Sequence, residues 1–152
     1  MILRTPEQMR ELGARIAGAC RPGDVVVLVG DLGAGKTTFV QGMGIGLGIA
    51  QPITSPTFVI ARVHRSRSGP SLIHVDAYRL GSGLELDDLD LDTELATAVT
   101  AVEWGEQQAD RLTPDRLVVS IEVAPDDSRV VHLHGVGQRW ADLETSSLGE
   151  EP

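Results

Sequence analysis

An apolar run that leads directly into a glycine-rich octet constrains the fold of this chain more than any other feature. Val25–Val29 is continuous and mostly β-branched, which predicts a strand buried on both faces, as in a parallel sheet. The octet at 30–37, Gly-Asp-Leu-Gly-Ala-Gly-Lys-Thr, follows at once, and a helical pattern begins near Lys36. Strand, glycine-rich loop and helix in this order are the context that a phosphate-binding P-loop requires. The sequence therefore predicts an α/β protein that binds a nucleoside triphosphate.

The octet supplies the groups that hold phosphate in P-loops. Its backbone amides are predicted to form a nest around the β-phosphate at the positive end of the helix, and Gly33 and Gly35 let the backbone approach closely. Lys36, the single lysine among 13 basic residues, is predicted to bridge the β- and γ-phosphates, and Thr37 is predicted to bind Mg²⁺. The predicted nucleotide-binding residues of this segment are Leu32, Gly33, Ala34, Gly35, Lys36, Thr37 and Thr38.

Two carboxylates end apolar segments further along the chain. Asp76 ends Leu-Ile-His-Val-Asp, which is the Walker B arrangement that holds Mg²⁺ through its water shell. Glu103 follows Thr-Ala-Val, and a carboxylate at the end of a strand can bind Mg²⁺ or orient an attacking water, although it can also be an ordinary surface residue. The residue after Asp76 is Ala77, not the glutamate that many ATPases use there. The predicted catalytic residues are Lys36, Asp76 and Glu103, and the predicted metal ligands are Thr37, Asp76 and Glu103.

A hydroxyl-rich segment follows the P-loop helix, where nucleotide-sensing loops usually occur. Ser55 and Thr57 flank Pro56, which stiffens the segment. The two hydroxyls are candidates to contact the γ-phosphate or the attacking water, and the alternative is a turn with a structural role only.

The rest of the chain predicts one domain, 1–135, followed by a polar, flexible tail, 136–152. A Thr5 cap, Pro6 at the first position and apolar residues at helical spacing indicate a helix over 6–19. Strands are predicted at 58–63 and 72–78, joined by a turn, and again at 98–102, 117–123 and 130–133. His74 is expected to face a neighbouring strand rather than a metal. Glycines at 42, 44, 46 and 48 indicate close packing of the P-loop helix against the sheet, or else a mobile helix end.

Charge and composition narrow the function. The 152 residues include 13 basic and 22 acidic side chains, a net charge of −9, which argues against direct, non-specific binding to nucleic acid. No apolar run is long enough to cross a bilayer and the N-terminus has no signal-peptide pattern, so we expect a cytoplasmic protein without a membrane partner. The chain contains no asparagine, so the Asn-Lys-x-Asp motif that reads guanine cannot occur, and ATP is favoured over GTP.

Four segments taken together resemble one family. They are Gly-Asp-Leu-Gly-Ala-Gly-Lys-Thr-Thr at 30–38, Ser-Pro-Thr-Phe at 55–58, His-Val-Asp-Ala-Tyr-Arg-Leu at 74–80 and Val-Glu-Trp at 102–104. In this order they resemble the TsaE (YjeE) family of small bacterial ATPases, and the similarity covers roughly residues 5–133. The chain departs from the family's usual pattern at Gly105, where proline is common, and at Phe58, where tyrosine is common.

The resemblance implies a P-loop NTPase-like three-layer α/β fold with a mixed, mainly parallel sheet, and ATP/ADP and Mg²⁺ as ligands. It implies that Thr37 and Glu103 bind the metal, that Asp76 is the Walker B acid, and that Thr5 and Pro6 lie near the adenine. It also implies an accessory role in tRNA threonylcarbamoyladenosine synthesis beside the TsaD and TsaB proteins. On this view ATP hydrolysis is slow without those partners, and tRNA is met only through them.

Two other functions stay open on the residues alone. A small-molecule kinase shares the fold and size, and Arg65, Arg67 and Arg111 are candidate lid residues, although no lid-length insertion is evident. A non-catalytic, nucleotide-gated binding module is favoured somewhat by the missing acid after Asp76. Turnover, not affinity, distinguishes the module from an ATPase.

Overall fold

One mixed sheet organises the chain in the computed structural model, which describes residues 1–54, 61–77, 92–103 and 113–142. Its strands are β1 (Ile2–Leu3), β2 (Val25–Val29), β3 (Ala61–His64), β4 (Leu72–Asp76), β5 (Val99–Glu103), β6 (Arg116–Val123) and β7 (Arg129–Val136). The described helices are α1 (Pro6–Ala19), α2 (Lys36–Gly46) and the short α3 (Asp92–Leu95). Within these segments no helix combines the length and the apolar character needed to cross a membrane.

The strands lie in the order β1-β7-β6-β2-β5-β4-β3, with a parallel centre and antiparallel edges. Strands β6, β2, β5 and β4 pair in parallel, whereas β3 pairs antiparallel with β4, and β7 pairs antiparallel with β6 and β1. The mixed α/β sheet implied by the family resemblance is therefore confirmed. Because the central strands are parallel, the carboxyl ends of β2, β4 and β5 meet at one edge.

Successive side chains of β2 point alternately into two buried layers, one on each face of the sheet. Val26 and Leu28 face a cluster that is closed by α1 and α2, whereas Val25 and Val27 face a second cluster on the opposite side of the sheet. Leu95 of α3 packs against that second cluster. Burying one such aliphatic side chain stabilises the fold by about 1.5–3 kcal/mol. The continuous valine run is thus explained by a strand that is covered on both faces.

Helix α1 begins and ends where the sequence predicted. The Thr5 hydroxyl accepts a hydrogen bond from the Gln8 amide at 3.2 Å, and Pro6 takes the first helical position. The Gln8 side chain reaches back and accepts from the Arg4 amide at 2.6 Å. These reciprocal bonds satisfy donors that a helix start leaves unpaired, and they fix the N-terminus of α1 beside the end of β1.

The glycines of α2 let the two long helices approach closely. A Cβ at Gly42 would collide with the carbonyl oxygen of Arg10, and one at Gly46 would lie 2.5 Å from the carbonyl oxygen of Ala14. A Cβ at Gly44 would collide with Ile53. The expected close packing is therefore present, but its partners are α1 and Ile53 rather than the sheet. Small residues allow this approach because no side chain separates the backbones.

The remaining strand predictions are confirmed with shifted bounds. β3 and β4 form the predicted hairpin, β5 includes Glu103 as its last residue, and β7 is longer than the predicted 130–133. β1 was not predicted, because two residues are too few to show a strand period. Residues 58–60 and 78 of the predicted strands lie outside the described residues.

The packed chain continues past residue 136, where the sequence predicted a flexible tail. A 3-10 helix follows β7 at Gln138–Trp140, and Trp140 is buried. Arg139 donates to the two carboxylate oxygens of Asp24 at 3.1 and 2.8 Å. One aromatic side chain and one ion pair anchor this segment. Its packing was not predicted, because the surrounding residues are polar. Residues 143–152 lie outside the described part of the chain.

Candidate nucleotide site

Glycine geometry shapes the loop that joins β2 to α2. Gly33 and Gly35 have φ angles of 81° and 113°, in the left-handed region that favours glycine. Gly30 has no room for a side chain, because a Cβ there would lie 2.6 Å from a carbonyl oxygen of β6. The loop turns on a hydrogen bond from the Ala34 amide to the carbonyl oxygen of Asp31 at 3.0 Å. A curved backbone that opens into a helix N-terminus is suited to binding an anion.

Lys36 starts α2, and its ammonium group folds back over the loop. The side chain is buried, and Nζ donates to the carbonyl oxygens of Gly30 at 2.5 Å and Asp31 at 3.0 Å. Burial lowers the pKa of Lys36, while the nearby carboxylates of Glu103, Asp31 and Asp76 oppose that shift. The backbone thus positions the ammonium, and the surrounding acids favour its charged form.

The two predicted acids lie side by side at the edge where the loop begins. Asp76 and Glu103 are paired in the parallel register of β4 and β5, and they are 8% and 4% exposed. Glu103 also pairs with Leu28, two residues before Gly30. Parallel pairing therefore brings Lys36 and both carboxylates together from three separate segments of the chain, as the sequence predicted. Their catalytic roles stay predictions.

His74 on β4 forms a hydrogen bond with Glu103 on the neighbouring strand β5. The imidazole is fully buried, and its Nε2 lies 3.1 Å from Oε2 of Glu103. An ionised carboxylate can only accept, so Nε2 is the donor of this bond when Glu103 is charged. His74 faces a strand neighbour, as expected, and the structure adds that this neighbour is the predicted catalytic acid. The bond restricts the orientation of the Glu103 carboxylate.

The donors at this edge fit Mg²⁺. Thr37 follows Lys36 in the first turn of α2 and is half-buried, and the two neighbouring carboxylates supply hard oxygen atoms. Mg²⁺ is usually held by one or two carboxylates together with phosphate oxygens and water. Thr37, Asp76 and Glu103 therefore form a donor set of the right chemical kind, although their roles as metal ligands stay predictions.

A cavity of about 190 Å³ borders the loop. The N-terminus of α1, with Thr5 and Pro6, forms one wall, and Gly33, Gly35 and Thr38 form another. Its volume is below the roughly 300–1,000 Å³ of a pocket for a whole drug-sized ligand. That Thr5 and Pro6 lie near the adenine stays a prediction.

The third wall of this cavity contains a residue that sequence reasoning missed. Arg129, the first residue of β7, lines the cavity together with Asp127. Its Nε donates to the carbonyl oxygen of Ala34 at 2.9 Å. The only sequence signal is an arginine directly after a turn, which is common on protein surfaces.

Several predicted residues fall elsewhere. The Leu32 side chain is 93% exposed, so its predicted contribution is limited to the backbone. The predicted sensing residues Ser55 and Thr57 lie outside the described residues. So do Trp104 and the two departures from the family pattern, Phe58 and Gly105.

The sheet order, the glycine loop and the buried lysine beside two carboxylates define an α/β protein with a P-loop NTPase-like fold. A family model described as "Threonylcarbamoyl adenosine biosynthesis protein TsaE" matches residues 3–131. The chain therefore belongs to the TsaE family, and the resemblance seen in its motifs is confirmed.

Named relatives agree with this assignment. The chain is 54% identical over 146 residues to the "tRNA threonylcarbamoyladenosine biosynthesis protein TsaE" of Streptomyces coelicolor, covering 92% of this chain and 99% of that protein. A protein of the same name from Bacillus subtilis is 40% identical over 139 residues, covering 91% and 86%. The crystal structure of Bacillus subtilis YdiB superposes with a TM-score of 0.79 at 34% identity, covering 95% of this chain and 90% of that one.

Proposed function

We propose that this protein is a Mg²⁺-dependent ATPase that acts in the cytoplasm as an accessory subunit in tRNA threonylcarbamoyladenosine synthesis, together with TsaD and TsaB. The observation that carries the proposal is the convergence of Lys36, Asp76 and Glu103 at one sheet edge. A buried lysine over a glycine loop, with two acids beside it, suits a Mg²⁺-bound triphosphate better than it suits a neutral ligand.

Each residue has a defined task in this proposal. Lys36 binds the β- and γ-phosphates and offsets the charge that develops between them. Bound Mg²⁺, held by Thr37 and the carboxylates, would neutralise phosphate oxygens. The hydrogen bond from His74 keeps the Glu103 carboxylate in one orientation, whether it binds the metal or orients the attacking water.

The tRNA role rests on the relatives. Proteins that share 40–54% identity with this chain are named for tRNA threonylcarbamoyladenosine biosynthesis. The net charge of −9 disfavours direct binding to a polyanion, so we propose that the protein meets tRNA through TsaD and TsaB.

Nucleotide titrations and a reconstituted assay test the two parts separately. Calorimetry should show Mg²⁺-ATP binding with preference over Mg²⁺-GTP, and the ATPase rate should rise when TsaB and TsaD are added. Absence of ATP binding would overturn the nucleotide assignment. Binding without complex formation or stimulation would overturn only the proposed tRNA role.

A non-catalytic, nucleotide-gated module is the second candidate. The residue after Asp76 is an alanine, so this position supplies no acid. Ala77 is buried in the apolar cluster that also contains Val25 and Val27. Single-turnover measurements with the partners present would distinguish the two. If bound ATP stays intact while the protein binds and releases its partners many times, the module is favoured.

A further inference from the structure

Arg129 reaches the outer surface of the P-loop from a distant strand. Its Nε donates to the Ala34 carbonyl oxygen at 2.9 Å, and its Nη2 lies 3.5 Å from the carbonyl oxygen of Gly33. The side chain is 25% exposed. The guanidinium therefore contacts the carbonyl oxygens of Gly33 and Ala34, whereas Nζ of Lys36 contacts those of Gly30 and Asp31 at the start of the loop.

The turn between β6 and β7 holds the guanidinium in place. Nη1 of Arg129 donates to the carbonyl oxygen of Asp127 at 2.6 Å and to its Oδ1 at 3.2 Å. Asp127 has a φ of 65°, the left-handed conformation that aspartate tolerates better than most residues. Backbone bonds between Ala124 and Ser128 and between Asp127 and Ala124, both at 2.9 Å, close this turn. The turn that carries Arg129 is thus held by its own hydrogen bonds.

Holding the carbonyl oxygen of a peptide plane also fixes the direction of the amide hydrogen in the same plane. In a trans peptide the carbonyl oxygen of one residue and the amide hydrogen of the next point in opposite directions. The Ala34 carbonyl oxygen belongs to the same peptide as the Gly35 amide, which is one of the predicted phosphate donors. Gly35 has no Cβ to limit rotation of this peptide, and its φ is 113°. A hydrogen bond to the Ala34 carbonyl oxygen therefore restricts the direction of the Gly35 amide.

We infer that Arg129 is a positioning residue for the nucleotide, which fixes the Gly35 amide toward the phosphates by holding the Ala34 carbonyl. This inference rests on the proposed ATP binding. In this role the guanidinium acts through its hydrogen bond to the loop backbone, not through a bond to phosphate. Nε and Nη1 are both held by short hydrogen bonds, and together they fix an angle that a single ammonium does not reproduce.

The same arginine lines the cavity near Thr5 and Pro6, so a direct contact with the base is the competing explanation. Inorganic tripolyphosphate separates the two, because it has the phosphates of ATP and no base. A residue that acts on the loop affects both ligands equally, whereas a residue that contacts the base affects ATP alone.

Affinities of the full chain for Mg²⁺-ATP and Mg²⁺-tripolyphosphate should be measured for wild type, Arg129→Ala, Arg129→Lys and Arg4→Ala. Arg4 is the matched control for tripolyphosphate, because it lines the same cavity but pairs at 3.6 Å with Asp126, not with the loop. We expect Arg129→Ala to weaken both ligands by about tenfold, with Arg129→Lys recovering only part of the loss. Guanidinium at a low, non-denaturing concentration should restore binding to Arg129→Ala and leave Arg4→Ala unchanged.

Three results would overturn the inference: wild-type affinity in Arg129→Ala, a loss confined to ATP, or a loss of tripolyphosphate affinity no larger than that of Arg4→Ala. If Arg129→Ala does not fold, as judged by its melting curve, the same comparison is decided by Arg129→Lys, which keeps the charge. If the wild type does not bind ATP, the proposed function itself is overturned. Failure of the proposed function is therefore distinguishable from failure of the Arg129 inference.

Discussion

Two groups of side chains at the P-loop, an inner and an outer side defined by the residues below, are built in different ways. The inner side contains Lys36, Asp76 and Glu103, all buried and all delivered by the central parallel strands or the helix that follows them. The outer side contains Arg129 and Asp127, which come from an antiparallel hairpin and are more exposed. The inner side carries the groups of the proposed chemistry, whereas the outer side carries the arginine that we propose to position the loop.

This difference has a physical origin. In a parallel sheet the strand ends share an edge, so three short motifs suffice to place three side chains together. The contact between Arg129 and Ala34 joins residues 95 positions apart and depends on the register of β7 beside β6. Short motifs do not encode that register. Inner-side variants should therefore affect binding or chemistry most strongly, and outer-side variants should tune affinity.

The largest effect is expected at Lys36. Lys36→Ala removes the cation at the mouth of the nest, so Mg²⁺-ATP affinity should fall by at least about 100-fold, below detection by calorimetry. Arg67→Ala removes one charge from the exposed β3–β4 turn and serves as the control. Unchanged ATP affinity in Lys36→Ala would remove the inner side from phosphate binding.

Glu103 comes next. Glu103→Ala should lower the rate of ATP hydrolysis by about 100-fold while changing Mg²⁺-ATP affinity much less, because the amides and Lys36 stay in place. Single-turnover hydrolysis and calorimetry on the same preparation measure the two quantities. Full hydrolysis in the variant would exclude Glu103 from the mechanism.

A smaller effect is expected at His74, which touches Glu103 but not the phosphates. His74→Ala should slow hydrolysis by about tenfold, because the carboxylate loses its orienting donor. His74→Gln retains a side-chain N–H donor and should recover part of the rate at an unchanged KM. Equal rates in the alanine and glutamine variants would show that only packing matters at this position.

The smallest effect on nucleotide chemistry is expected where α1 and α2 meet. Gly42→Ala places a methyl group against the Arg10 carbonyl and should lower the free energy of unfolding by about 2 kcal/mol in denaturant titrations. Gly18→Ala is the control, because nothing lies within 4 Å of a Cβ there. That control should be neutral or up to about 1 kcal/mol more stable. Equal stability of the two variants would contradict the close packing.

Local signals predicted the elements that local physics determines. Thr5, Pro6 and Gln8 fixed α1 to the residue, and the valines of β2 revealed a strand covered on both faces. The inner site followed from Asp76 and Glu103 at the ends of apolar runs. These features depend on hydrogen bonds and periodicity within a few neighbouring residues.

Long-range packing determines what the sequence did not reveal. Trp140 and Arg139 anchor a segment whose composition predicted a flexible tail, because the partner of Arg139 is Asp24, 115 positions away. The glycines of α2 signalled close packing, but nothing in their neighbourhood identified α1 as the partner. Arg129 looked like any arginine after a turn until β7 placed it beside Ala34.

The position of β2 in the sheet has a consequence for the order of folding. β2 is central, yet both of its hydrogen-bonded neighbours, β5 and β6, come much later in the chain. Closing such long loops before any pairing energy is gained slows folding. During synthesis the glycine loop emerges early, but its strand gains neighbours only when the second half of the chain has been made. We therefore expect a nascent chain that ends before β5 to be unable to retain nucleotide.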